Sequence, residues 1–149
     1  MEKSIVSVHP ETPLLEAHQI LEDHRFDGVP VVDERNHLVG ILTEYDLIAK
    51  GSSFHLPTFQ KILTELDIFN KNRARFKDDI APLERLTVRD VMNADPLTFS
   101  EDETLEQVIA AFRDHHRVNP VPVIREDRTV IGIVSRYDVL KLFDLVKHT

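Results

Sequence analysis

Cysteine is absent from the 149 residues, which excludes a disulfide framework and thiolate chemistry. Only four glycines are present, too few for elaborate phosphate-cradling loops. There is no Gly-x-Ser-x-Gly elbow and no Gly-rich loop ending in Lys-Ser/Thr. The eight histidines include no His-x-x-x-His pair with a Glu base. No apolar run approaches the ~20 residues that span a bilayer. The start shows no secretory n-region and h-region, so a cytoplasmic location is expected. Excess positive charge is missing too. The net charge of −8 argues against nucleic acid as the main partner, because phosphate backbones are held by clustered Lys and Arg.

What is present is one phrase twice. Gly40-Ile41-Leu42-Thr43-Glu44-Tyr45-Asp46-Leu47 returns as Gly132-Ile133-Val134-Ser135-Arg136-Tyr137-Asp138-Val139. Each copy sets a hydroxyl and a carboxylate three residues apart, after an apolar run. Val29-Pro30-Val31-Val32 pairs with Val121-Pro122-Val123-Ile124 at the same offset of 92. Upstream the offset is 91, with Leu14 on Leu105 and His24 on His115. One residue is therefore inserted near Val118 or Asn119. Thr87-Val88-Arg89-Asp90-Val91 leads into copy two, and copy one has no such lead-in. Two origins stay open: a natural start at Met1, or a longer protein cut there. The hydrophobic and charged fractions, 42% and 30%, are those of a soluble globular protein. Each copy, at under about 50 residues, is too small to bury a stable core easily alone, so the copies are expected to share an interface.

Each copy reads as β-α-β-β-α. In copy one Ile5–Val8 is a short strand. Thr12-Pro13 opens a helix, with Thr as cap and Pro at the first helical position. Leu14, Ala17, Ile20 and Leu21 form its apolar stripe. Residues 29–32 and 38–42 are strands around a polar turn, and a second helix opens at 45–49. Copy two repeats the order at 97–99, 105–113, 121–124, 130–134 and 138–146. Ser100 with Glu103, or Asp102, is the expected cap of its first helix. Thr87 and Asp90 form a capping box. Between the copies, Gly51-Ser52-Ser53 reads as a breaker. Thr58 caps a helix carrying Phe59, Ile62, Leu63, Leu66 and Phe69, and Lys71–Lys77 is locally basic. The last helix is apolar over a wide surface, through Val139, Leu140, Leu142, Phe143, Leu145 and Val146, which suits a partner subunit.

These duplicated phrases, with Gly28-Val29-Pro30-Val31-Val32-Asp33 and Asp90-Val91-Met92 beside them, resemble the CBS-domain pair, or Bateman module. The resemblance covers most of the chain outside the insert. It implies an α+β fold: two βαββα repeats about a pseudo-twofold axis with a helical insert between them. Repeat 1 takes residues 1–50, the insert 51–86 and repeat 2 residues 87–149. It implies two clefts for adenosine-containing ligands such as AMP, ADP, ATP or S-adenosylmethionine. It also implies regulation rather than catalysis, and a homodimer.

By the same resemblance, Asp46 and Asp138 hold ribose hydroxyls, a role that suits an ionised carboxylate. Thr43 and Ser135 contact phosphate or ribose while capping the next helix, whose N-terminus favours anions. A cap three residues earlier would leave each Asp free for ligand. Ile5, Val6, Phe26, Asp27 and Gly28 match the adenine slot of copy one, and Pro96, Leu97, Val118, Asn119 and Pro120 that of copy two. Nucleotide-sensing relatives often carry His-Arg before the apolar strand. Here Asp27-Gly28 and Asn119-Pro120 stand instead. The basic groups nearby are His24-Arg25, His115, His116, Arg117 and Arg136, with Arg73, Arg75 and Lys77 in the insert. Copy two is thus the better phosphate site. Asp114-His115-His116 is similar to a metal-binding box of certain phosphodiesterases over three residues only, with no second cluster, so no metal is expected. Two other readings remain: a dimerisation scaffold without a small-molecule ligand, and an excised regulatory part of a larger transporter or enzyme.

Overall fold

A computed structural model of the chain describes residues 5–53 and 84–147. The expected insert helix capped by Thr58 and the basic run 71–77 lie outside the described residues, as do the side chains of Phe143, Leu145 and Val146. The elements are α1 (Leu14–His24), β1 (Gly28–Val32), β2 (Leu38–Thr43), α2 (Glu44–Ser53) and α3 (Val88–Val91), followed by β3 (Phe99–Ser100), α4 (Leu105–Asp114), β4 (Val121–Ile124), β5 (Val130–Val134) and α5 (Arg136–Lys147). The fold is α+β as expected, with the β-α-β-β-α order complete in copy two and lacking its first strand in copy one.

The two hairpins are built alike. β1 pairs antiparallel with β2, setting Pro30 opposite Ile41, and β4 pairs with β5, setting Pro122 opposite Ile133. Both have a bulge at equivalent places, Val31/Val32 and Val123/Ile124. Both turns end on a left-handed residue, Asn36 at φ 65° and Arg128 at φ 72°. β3 lies parallel to β4.

Local signals misplaced several ends. Ile5–Val8 is not a strand: only Val8 bridges Val31, donating to Pro30 O at 3.1 Å and accepting from Val32 N at 2.9 Å. The chain turns at once, because His9 N–H donates to Thr12 Oγ1 at 3.0 Å. Thr12 is thereby spent on the turn, and Pro13 occupies the cap position ahead of Leu14. In copy two β3 is two residues long. The cap of α4 is neither Ser100 nor Asp102 but Thr104, whose Oγ1 accepts Gln107 N–H at 3.2 Å while Gln107 Oε1 accepts Thr104 N–H at 2.8 Å. Gly51 does not break the chain: α2 continues to Ser53, so the division at 50/51 falls inside a helix. One Gly costs a helix only about 1 kcal/mol against Ala. The Thr87–Asp90 box forms as expected, with Asp90 Oδ2 accepting Thr87 N–H at 2.8 Å.

Three apolar clusters hold the fold. Val8, Leu14, Ala17, Leu21, Val29, Val31, Leu42 and Leu47 bury together with Val88 and Val91, so the lead-in to copy two completes the core of copy one. Phe99, Phe112, Val121 and Val123 form the second, the two rings meeting edge-on at 5.9 Å. Val32, Leu38 and Val130 form the third, across the two copies.

The copies meet about a pseudo-twofold axis. His37 bridges Thr129, its own equivalent. On either side Leu38 N–H donates to Arg128 O at 2.9 Å and Val130 N–H to Asn36 O at 3.1 Å. Farther along, Asn119 Nδ2 donates to its equivalent Asp27 at 2.9 Å. Equivalent residues touch one another only on such an axis.

Candidate functional site

Each duplicated phrase ends a strand and opens a helix. Thr43 closes β2 and Ser135 follows β5, which makes Asp46 and Asp138 the third residues of α2 and α5. At that spacing the hydroxyl and carboxylate cap the helix reciprocally. Asp46 Oδ2 accepts Thr43 N–H at 3.2 Å and the Thr43 hydroxyl at 2.9 Å, while Asp46 N–H donates to Thr43 Oγ1 at 3.1 Å. Ser135 N–H donates to Asp138 Oδ2 at 2.9 Å, and Asp138 N–H to Ser135 Oγ at 3.2 Å. The expectation that the cap leaves the Asp free is therefore corrected: in each copy the Oδ2 is part of the cap.

The two boxes differ in access. Asp46 is 8% exposed and Thr43 9%, whereas the Asp138 side chain is 48% exposed. Asp138 Oδ1 faces Lys141 Nζ at 3.8 Å, a long, solvent-screened pair. Lys141, which also lies 4.7 Å from the Tyr137 ring, is the residue that sequence reasoning missed. Its signal was the three-residue spacing to Asp138, which places two side chains on one helix face.

Beside this box, Leu97 and Val118 are half-buried against the Phe99–Phe112 cluster, with Val134 and Val139. Pro96 is half-buried, and Pro120 is buried against the axis. In copy one Val6 and Phe26 pack on the first cluster and Ile5 on the third. Asp27 and Asn119 are brought together, as are Gly28 and Pro120: a Cβ on Gly28 would stand 2.7 Å from Pro120 Cδ.

The basic residues are dispersed. Arg136 closes the C-terminus of α4: Nη1 donates to Phe112 O at 2.8 Å, Nη2 to His115 O, and the guanidinium stands 5.1 Å from the Phe112 ring. A cation suits those carbonyls, which end the helix dipole. Arg117 crosses to copy one, donating to Tyr45 OH at 3.0 Å and lying 5.7 Å from its ring. His115 and His116 are exposed. Asp114 is paired with Arg113 at 3.2 Å. Among the described residues no three His, Asp or Glu side chains are placed to hold a metal ion.

The carboxyls held below the ordinary range lie elsewhere: Glu11 through its bond from Arg89, Asp33 through the His37 amide, and Asp127 through the Thr129 amide. A groove of about 640 Å³ lies among His9, Glu11, Asp33, Glu34, Arg35 and Arg89, and none of the residues read from the sequence as binding lines it. Among the described residues no helix is long and apolar enough to cross a membrane.

Known proteins share this architecture. The chain is 29% identical over 143 residues to the L-aspartate semialdehyde sulfurtransferase of Methanocaldococcus jannaschii, covering 96% of this chain and 22% of that protein. It is 30% identical over 143 residues to the CBS domain-containing protein CBSX1, chloroplastic, of Arabidopsis thaliana, covering 95% of this chain and 60% of that protein. It thus spans less than two thirds of either relative. Among solved structures it resembles CBSX2 from Arabidopsis thaliana, with TM-score 0.70 and 25% identity over 97% of this chain and 89% of that one. CBSX2 in complex with AMP also matches, with TM-score 0.70 and 24% identity, covering 98% of this chain and 92% of that one. The CBS domain pair of protein MJ0100, solved with 5'-methylthioadenosine and S-adenosyl-L-methionine, matches with TM-score 0.68 and 25% identity over 98% of this chain and 93% of that one. The sequence model of the CBS domain matches residues 1–52 and 88–144, both repeats and well over half of the sequence, and the chain belongs to the CBS domain family.

Proposed function

We propose that the chain is a regulatory module that binds an adenosine-containing small molecule at the Ser135–Asp138 box and is not itself an enzyme. The observation that carries this reading is the open carboxylate of Asp138 at the start of α5, opposite its buried twin Asp46. Asp138 Oδ1 accepts from a ribose hydroxyl, displacing Lys141, and the half-buried Leu97 and Val118 flank the adenine. The Lys141 and Arg117 side chains offer a phosphate positive charge and His116 a ring nitrogen, because the Arg136 and Asp138 N–H groups at the start of α5 are taken by Asn119 Oδ1 and Ser135 Oγ. Arg136 acts by positioning, since its guanidinium is committed to α4. With Arg136 so engaged and Asp27 near the axis, a monophosphate or a phosphate-free adenosyl group fits better than a triphosphate. The AMP bound by CBSX2 and the adenosyl ligands bound by MJ0100 are of that kind.

The module comprises both repeats with the insert between them, works in the cytoplasm and is a homodimer. Tyr45 and Ile48 on α2 and their equivalents Tyr137 and Leu140 on α5 are all exposed, a matched apolar pair of faces that suits a second copy. The same faces favour a second reading, a dimerisation scaffold without a small-molecule ligand.

Calorimetry with AMP, ADP, ATP and S-adenosylmethionine decides between them. Binding of AMP or S-adenosylmethionine is expected, and Asp138→Ala should weaken it by about 1.5–3 kcal/mol, as for a lost hydrogen bond to a charged group. No binding by any of the four near millimolar, with a dimer indifferent to all, would establish the scaffold instead.

A further inference from the structure

The residue two before each Val-Pro-Val run is Asp27 in repeat 1 and Asn119 in repeat 2. In both repeats it holds the N–H that opens the helix after the hairpin, but by different atoms. Glu44 N–H, at the start of α2, donates to the main-chain O of Asp27 at 3.0 Å. Arg136 N–H, at the start of α5, donates instead to the side-chain Oδ1 of Asn119 at 2.8 Å. The same amide reaches the other repeat, because Asn119 Nδ2 donates to Asp27 Oδ2 at 2.9 Å. Its partners fix which way the amide faces. A carboxylate only accepts and a backbone N–H only donates, so neither bond survives if O and N change places. A line of hydrogen bonds thus runs from Asp27 through Asn119 to the first residue of α5, beside the Ser135–Asp138 box. In repeat 1 the corresponding bond joins main chain to main chain, so the Asp27 side chain plays no part in it.

We propose that Asn119 is a positioning residue through which repeat 1 sets the box of repeat 2. The inference rests on the reading of that box as the ligand site. A helix start leaves N–H groups without partners inside the helix, and Asn119 takes one of them. It directly follows Val118, so it ties the apolar flank of the site to the end of α5 that carries Asp138. The Arg136 side chain holds the same helix start to the Phe112 and His115 carbonyls of α4, within repeat 2. Only the Asn119 amide carries the line on to repeat 1. Coupling of this kind is reciprocal. Whatever the Asp27–Asn119 bond adds to binding at the box, a bound ligand adds to that bond, and so to the join between the repeats. A ligand on repeat 2 thereby acts on repeat 1 without touching it.

The test exchanges the two side chains in the whole chain. In Asn119→Asp a carboxylate still accepts the Arg136 N–H but faces the Asp27 carboxylate, and like charges repel. In Asp27→Asn the amide oxygen still accepts from Asn119. With both changes the amide stands on repeat 1 and donates to the carboxylate on repeat 2, at unchanged net charge. Calorimetry uses 5'-methylthioadenosine, an uncharged probe on which a moved charge acts little, with AMP and S-adenosylmethionine beside it. Asn119→Asp should weaken binding at least about threefold, and Asp27→Asn less than about twofold. The double exchange should return to within about twofold of the parent, a rescue that a merely local packing role would not give. The Arg136 amide resonance, followed without ligand, should move in Asn119→Asp and return in the double exchange. Asp27→Ala, at an exposed side chain, breaks the line without adding a charge and should move that resonance too, which keeps the test open if Asn119→Asp unfolds. If the parent binds a probe while the two changes merely add, or while the Arg136 resonance ignores them, this proposal is overturned and the ligand reading stands. A parent that binds none of the three probes overturns the ligand reading, and the coupling with it.

Discussion

Asp33 and Asp127 hold the two residues that meet on the pseudo-twofold axis. Asp33 Oδ1 accepts the N–H groups of Arg35 at 2.8 Å and His37 at 2.9 Å, and Asp127 Oδ1 accepts that of Thr129 at 3.0 Å. Bonds from amides to the charged form lower both carboxyls below their ordinary range. A lowered native value means that the unfolded chain binds the proton first. Their contribution is present in full above the unfolded value of about 3.9, and it is lost as pH falls through the lower native values. Urea midpoints between about pH 2 and 6 should therefore decline more gently below about 4 in Asp33→Asn/Asp127→Asn than in the parent. An equal decline would remove these carboxyls from the account. The candidate box was only half visible at this level. A hydroxyl and a carboxylate three residues apart serve a ligand and a helix cap equally well, so spacing could not reveal that Asp46 and Asp138 each commit one oxygen to the cap. The partners of Arg136 come from the far end of α4, and only tertiary structure brings them there.

The short helix α3 belongs to one repeat by sequence and to the other by packing. Val88 and Val91 lie before the phrases of copy two yet finish the core of copy one. This asymmetry predicts unequal costs for equivalent substitutions. Leu14→Ala should cost about 2–5 kcal/mol, as for a buried leucine, and Leu105→Ala under about 0.5 kcal/mol, as for a surface change. Urea unfolding of both variants checks this, and similar costs would mean that Leu105 is already covered. The hairpins were readable because continuous apolar runs and the fixed offset agreed, and both hairpin strands of copy two fell where expected. Helix starts were less readable. Ser100, Asp102 and Thr104 offer the same chemistry, and Thr104 caps the helix that carries Phe112, whereas Thr12 is taken by a turn and leaves Pro13 at the cap of α1. Val8 failed as a strand because a turn claims His9 immediately after it.

Each repeat alone is too small to bury a stable core, so the join between them is part of the stability of both. Beside the hydrogen bonds across the axis, that join has two apolar features: the third cluster, with Val32, Leu38 and Val130, and the contact of Gly28 with Pro120. Gly28 is there for space, not for backbone freedom, because no described glycine has a positive φ. Its missing Cβ would meet Pro120 Cδ at 2.7 Å and Leu42 O at 2.9 Å, a ring and a backbone that move only with their strands. Gly28→Ala should therefore push the repeats apart and cost about 1–3 kcal/mol, the usual range for overpacking. Because the third cluster and the backbone bonds beside it cross the axis, the loss should lower the midpoint of one cooperative transition. Calorimetry distinguishes this from independent repeats. A single peak shifted down means that the axis binds the two into one folding unit. Two separated peaks would mean that each repeat stands alone and that Gly28 serves only its own hairpin.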